Sequence, residues 1–123
     1  MYVLKDNSKF VLINSFIFFS KASESGSHWF VIFRESDETC EIFEPLGSGN
    51  IRSLLSIIPR YCRHIEVNQE PVQSKTSTRC GEFCLFFILH RFYNLDLDFS
   101  TLINSIFSVN LERNESQVLQ HLS

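Results

Sequence analysis

The sequence predicts an α+β protein: a small mixed or antiparallel sheet packed against one central buried helix. Three observations lead there. Runs rich in Val, Ile and Phe fill the first half, at residues 9–19, 28–34 and 39–43. Segments with helical spacing fill the end of the chain, at residues 99–107 and 111–122. Between them, a Ser/Thr-rich stretch at residues 74–78 turns abruptly apolar at Phe83. Hydroxyls able to cap free N–H groups, followed by a hydrophobic run, mark a helix start. Strands first and helices afterwards make an α+β arrangement.

Taken in order, residues 1–9 are polar and read as a weakly tied terminus. Residues 9–19 read as one buried strand, and 20–27 (Ser-Lys-Ala-Ser-Glu-Ser-Gly-Ser) as a loop. Strands at 28–34 and 39–43 flank Glu-Ser-Asp-Glu and form a hairpin. Residues 45–49 are a Pro/Gly loop. Ile51, Leu54, Leu55 and Ile58 recur at helical spacing in 51–61, a helix that Pro59 bends or ends early. A short strand at 64–68 and a loop at 69–79 lead into the central helix, which runs to about Tyr93. Its residues 83–89 are apolar on nearly all sides, which places it in the middle of the fold. The last helix is amphipathic through Leu111, Val118, Leu119 and Leu122. No repeat, low-complexity tract or linker divides the chain, so residues 1–123 form one domain.

Composition excludes several classes. With 44% hydrophobic residues and 13 Phe, the chain has material for a core without metal or disulfides. A net charge of −3 and singly scattered Lys and Arg give no support to nucleic-acid binding. The apolar run at 10–19 is interrupted by Asn14 and Ser15, lacks a following cleavage site, and is too short to span a membrane. Cys40, Cys62, Cys80 and Cys84 allow three two-bridge pairings. Cys80 and Cys84 lie one helical turn apart with no matching Cys/His pair at ligand spacing, so no metal site is expected. The thiols read as free, in a reducing compartment.

Chemistry gathers at the edges of these elements. Cys80 sits where the central helix begins, and free amides and the positive dipole end there favour a thiolate. His28 opens one strand and Glu44 ends its neighbour, ends that an antiparallel pair places side by side. A thiol protease needs a thiolate, an imidazole, a group that orients the imidazole, and donors for the oxyanion. Cys80, His28, Glu44 and Gln73 fill those roles in turn, with the Cys80 backbone N–H as a second oxyanion donor. Singly, each has a plainer reading: Cys80 as a small core hydrophobe, His28 and Glu44 as strand-edge residues, Gln73 as a loop polar, Trp29 as core or surface anchor. His64, His90 and His121 read as structural.

Jointly, three ordered motifs are more specific: His28-Trp29, then Phe43-Glu44-Pro45-Leu46-Gly47, then Gln73 seven residues before Cys80-Gly81-Glu82-Phe83-Cys84. The set resembles the adenain family, the adenovirus cysteine proteases and their relatives in adenovirus-like transposons. The likeness reaches from the strand around residues 11–14 to residues 111–119. It implies an adenain-like, papain-like fold and an endopeptidase cutting viral or virus-like precursor proteins at Gly-containing sites. It also implies His28, Glu44 and Cys80 as the triad, Gln73 in the oxyanion hole, and Trp29 against the substrate. Cys62, eleven residues before Gln73, matches a cysteine that the family joins by a disulfide to a short activating peptide. No other cofactor is required. The chain departs from the pattern in having fewer residues before His28, a reduced segment between Glu44 and Cys80, and no basic surface for DNA. The expected setting is a soluble monomer in the host nucleus or virion, or otherwise intracellular, with DNA binding weak or absent. Two alternatives stay open: a SUMO-deconjugating-type protease, which shares His-Trp, an upstream Gln and Cys-Gly, and an inactive protease-fold remnant kept as a binding module.

Overall fold

The computed structural model describes residues 2–3, 9–13, 15–23 and 26–123. Six strands form one sheet in chain order: β1 (Tyr2–Val3), β2 (Lys9–Ile13), β3 (Phe16–Ser23), β4 (Gly26–Arg34), β5 (Thr39–Phe43) and β6 (His64–Val67). Each pair is antiparallel except β5 with β6, which run parallel. A parallel neighbour needs a crossover. Here a 3-10 helix, Ser48–Ile57, supplies half of it. Three helices follow: α1 (Cys80–Tyr93), α2 (Phe99–Ile106) and α3 (Leu111–Leu122).

Alternation along the strands divides the apolar residues between two faces. Val31, Phe33 and Phe43 point to the helices, where Phe83, Phe87, Leu102 and Val118 meet them. Phe30, Ile32 and Ile42 point to the other side, under Ile51, Ile57 and Ile58 of the crossover. The Phe43 ring stacks on those of Phe87 and Phe107, 4.7 and 5.5 Å between centroids. That contact fixes α1 over the end of β5, close to Glu44.

Several expectations need correction. Residues 9–19 are not one strand but a hairpin closed by the Ile13–Phe16 pair, and Leu12 is half exposed. Residues 20–23 and 26–27 are not loop: pairing continues to Ser23 opposite Gly26, because ladder hydrogen bonds need no apolar side chains. Consequently His28 lies within β4, opposite Lys21, rather than at its start. Tyr2 and Val3 are tied to Phe10 and Lys9, while residues 4–8 of the polar terminus lie outside the described ones. The mid-chain helix is a 3-10 helix that ends before Pro59. α1 is buried on one side only, with Leu85, Leu89 and Phe92 partly exposed.

The largest correction concerns thiols. Cys40 on β5 and Cys62 before β6 form a disulfide, Cα atoms 5.3 Å apart. Four cysteines permit three pairings, and only the parallel β5–β6 contact brings these two together. Cys80 and Cys84 remain free thiols.

Candidate active site

Glu44 follows β5 directly and is fully buried. The β4–β5 ladder ends at the Val31–Phe43 pair, and His28 on β4 and Glu44 after β5 both lie just past that end. The imidazole Nε2 lies 2.7 Å from both carboxylate oxygens. The carboxylate is held in turn: Oε1 accepts the Leu46 N–H at 3.0 Å. The buried Asn68 amide clasps the Glu44 backbone on both sides, accepting its N–H at 2.8 Å and donating to its carbonyl at 2.7 Å. A turn after the carboxylate is closed by the Gly47 N–H on the Glu44 carbonyl, 2.8 Å. Gly47 has φ 88°, and a Cβ there would lie 2.9 Å from the Gln69 carbonyl oxygen and the Pro71 nitrogen. Only glycine combines that φ with that closeness, which explains the Gly of the Glu-Pro-x-Gly string.

Cys80 is the first residue of α1, and its Sγ accepts the Trp29 backbone N–H at 3.4 Å. The thiol and the His28 imidazole are hydrogen-bonded. With Nε2 on Glu44, Nδ1 is the nitrogen that faces the sulfur. Burial by itself would lower the His28 pKa, but bonds to Cys80 and Glu44 and their negative charge outweigh it and raise the value to about 9. Burial would likewise raise Cys80. The imidazole, the Trp29 and Gly81 N–H groups and the imidazolium charge win, holding the thiol below its ordinary value. Both shifts have one cause: each partner favours the charged form of the other. Cys84, a turn further along, is fully buried and pushed well up, which makes it inert.

No side chain caps the first turn of α1, contrary to the expected Ser/Thr cap; Arg79 holds the cap position and Ser77 Oγ accepts its N–H at 3.2 Å. An uncapped first turn is what an oxyanion hole uses, because those amides have no partner inside the helix. Gln73 is buried in the loop that leads to it. Its amide donates to the Ser77 carbonyl at 3.2 Å, and an amide nitrogen carries a second N–H. A shallow pocket of about 480 Å³ opens over Cys80, walled by Phe18, Trp29, Thr78, Gly81 and Leu85. The Trp29 ring lies over Gly81, where an added Cβ would stand 3.4 Å from it.

The structure thus brings His28, Glu44, Cys80 and Trp29 together and holds the Gln73 amide on Ser77, three residues before Cys80. Cys62 lies elsewhere, bonded to Cys40. Sequence reasoning missed Asn68, Phe18 and Leu85. Asn68 carried a faint signal, a polar residue ending a strand-like run.

A buried carboxylate, an imidazole and a helix-terminal thiol in series on an α+β scaffold define the cysteine-protease class. The family model of the adenovirus endoprotease matches residues 3–123, and the chain belongs to that family. The match selects this family over the SUMO-deconjugating type. A search of curated proteins finds no match. Among the described residues, no helix is long and apolar enough to cross a membrane.

Proposed function

We propose that the chain is a cysteine endopeptidase that cuts viral or virus-like precursor proteins at Gly-containing sites, in the host nucleus or virion. The observation that carries this reading is the series Glu44–His28–Cys80, with the sulfur at a helix N-terminus. The Cys80 thiolate attacks the scissile carbonyl. His28 then gives its proton to the leaving amine, and Glu44 keeps the ring aimed and its charge compensated. Gln73 and the Cys80 N–H receive the oxyanion. Trp29, roofing Gly81 beside an open pocket, favours a substrate backbone with little side chain near the cut.

The test is cleavage of a Gly-rich fluorogenic peptide by the purified chain and its variants. Cys80→Ala should abolish turnover while the fold survives, since little volume is lost. Gln73→Ala should lower kcat by roughly 10²–10³, on the scale of other oxyanion donors. Glu44→Ala should impair imidazole activation instead. A folded chain that neither cleaves peptide nor reacts with an active-site thiol probe would be the inactive binding module.

An activating peptide belongs to the same proposal. Among the described residues β6 pairs with β5 alone and is an edge of the sheet. A groove of about 640 Å³ runs beside it, between Val67 and Val72 on one side and Ile103 and Val109 on the other. An extended peptide would add there by backbone pairing. Attachment at Cys62 then proceeds by exchange: the peptide thiolate attacks Cys62 Sγ, the Cys40–Cys62 bond breaks, and Cys40 leaves as a thiolate. No outside oxidant is needed. Full activity without peptide, or undiminished capture in Cys62→Ser, would remove this part.

A further inference from the structure

The oxyanion loop is held from behind by the last helix, and we infer that Asn114 and Glu115 of α3 are positioning residues for Gln73. Asn114 is fully buried, a polar residue on the packed face of α3. Its Nδ2 donates to the Val72 carbonyl at 3.0 Å and the Ser108 carbonyl at 2.8 Å. Its Oδ1 accepts the Ser108 N–H at 2.8 Å. The Val72 carbonyl belongs to the same peptide plane as the Gln73 N–H, which donates to the Pro45 carbonyl at 3.1 Å. One plane is therefore gripped at both ends, by Asn114 on one side and by the residue next to Glu44 on the other. Rotation of that plane would swing the Gln73 side chain, so the grip sets where its amide points.

Glu115 holds the other end of the loop. Ser77 Oγ donates to its carboxylate, and the Ser77 carbonyl is the acceptor of the Gln73 amide. Adjacent residues of one helix thus fix both supports of the proposed oxyanion donor, some forty residues earlier in the chain. Neither touches the reacting atoms. They act through Gln73, and the inference rests on the peptidase reading for its catalytic half only.

The experiment is a double-mutant cycle with amide hydrogen exchange on the same proteins. Asn114→Ala should lower kcat about 10- to 100-fold with KM within twofold, the scale of a misplaced catalytic group. Added to Gln73→Ala, it should cause no further loss, because what it positions is already gone. Exchange across residues 72–77 should speed up while α1 and β3–β5 stay protected. Should Asn114→Ala not fold, Glu115→Ala, at a half-buried site, asks the same question, and Glu115→Gln, which keeps the acceptor, should restore kcat. Additive losses, or unchanged exchange in the loop, overturn the inference. A wild type without turnover refutes the peptidase reading, and the exchange measurement then decides the brace alone.

Discussion

At the scale of single residues, the consequence of the Cys80–His28 pair is a pH window. Alkylation needs the thiolate, and Cys80 is held below the ordinary thiol value while His28 is raised to about 9. The ion pair therefore exists between those two values. Iodoacetamide should label Cys80 at pH 7 far faster than the buried Cys84, and His28→Ala should move that reactivity to higher pH. Peptide turnover should rise as pH passes the lowered Cys80 value and fall through about 9, where His28 gives up the proton owed to the leaving amine. Mass-spectrometric mapping showing Cys80 no faster than Cys84 would refute the thiolate assignment. The reactive residues were legible in the sequence because each stands in a motif of neighbours. Asn68 and Asn114 were not. Their partners, Glu44 and Val72, lie 24 and 42 positions away, and no local pattern encodes such a pairing.

At the scale of elements, the join between α1 and the sheet is a buried ion pair. Arg91 donates to Glu41 through Nε at 2.9 Å and through a second, short contact, both residues almost wholly buried. It also donates to the Asn94 carbonyl at 3.0 Å, closing the end of the helix. Arg91→Ala should cost about 3–5 kcal/mol in urea unfolding, because Glu41, already raised to about 7 by burial, would be left buried without its partner. Replacing both by Met should recover most of that loss. The second join is the Cys40–Cys62 disulfide, which closes a loop of 22 residues between neighbouring strands. Changing both cysteines to Ala should cost about 3 kcal/mol, by the chain-entropy argument. Dithiothreitol should lower the unfolding free energy of the wild type by a similar amount and leave the variant unmoved. β5, α1 and α3 were readable at their observed bounds: β5 from the polar Glu-Ser-Asp-Glu and the Pro/Gly loop around it, α1 from the switch from hydroxyl to apolar residues, α3 from its amphipathic period. The hairpin at residues 9–23 was not, because β-branched and aromatic residues continue through its turn and only Asn14 and Ser15 mark the break. An Arg in an otherwise apolar helix gave the one hint of the ion pair.

For the whole molecule, charge and chain order matter most. With 11 Lys and Arg against 14 Asp and Glu, and Arg63 set 3.8 Å from Glu38, DNA binding at physiological salt should be weaker than about micromolar. Tighter, salt-sensitive binding in a titration would overturn this and require Arg60, Arg63 and Lys75 to share a face. The strands lie in the sheet in the order in which they occur in the chain. Each can therefore pair with its neighbour as soon as both have left the ribosome, without waiting for distant sequence. The proposed nucleophile has no such freedom. Cys80 meets Trp29 across 51 residues, and the supports of Gln73 arrive only with α3. On the proposed peptidase reading, a nascent chain thus carries its sheet with an idle imidazole and carboxylate, and gains its chemistry only when α3 has been made.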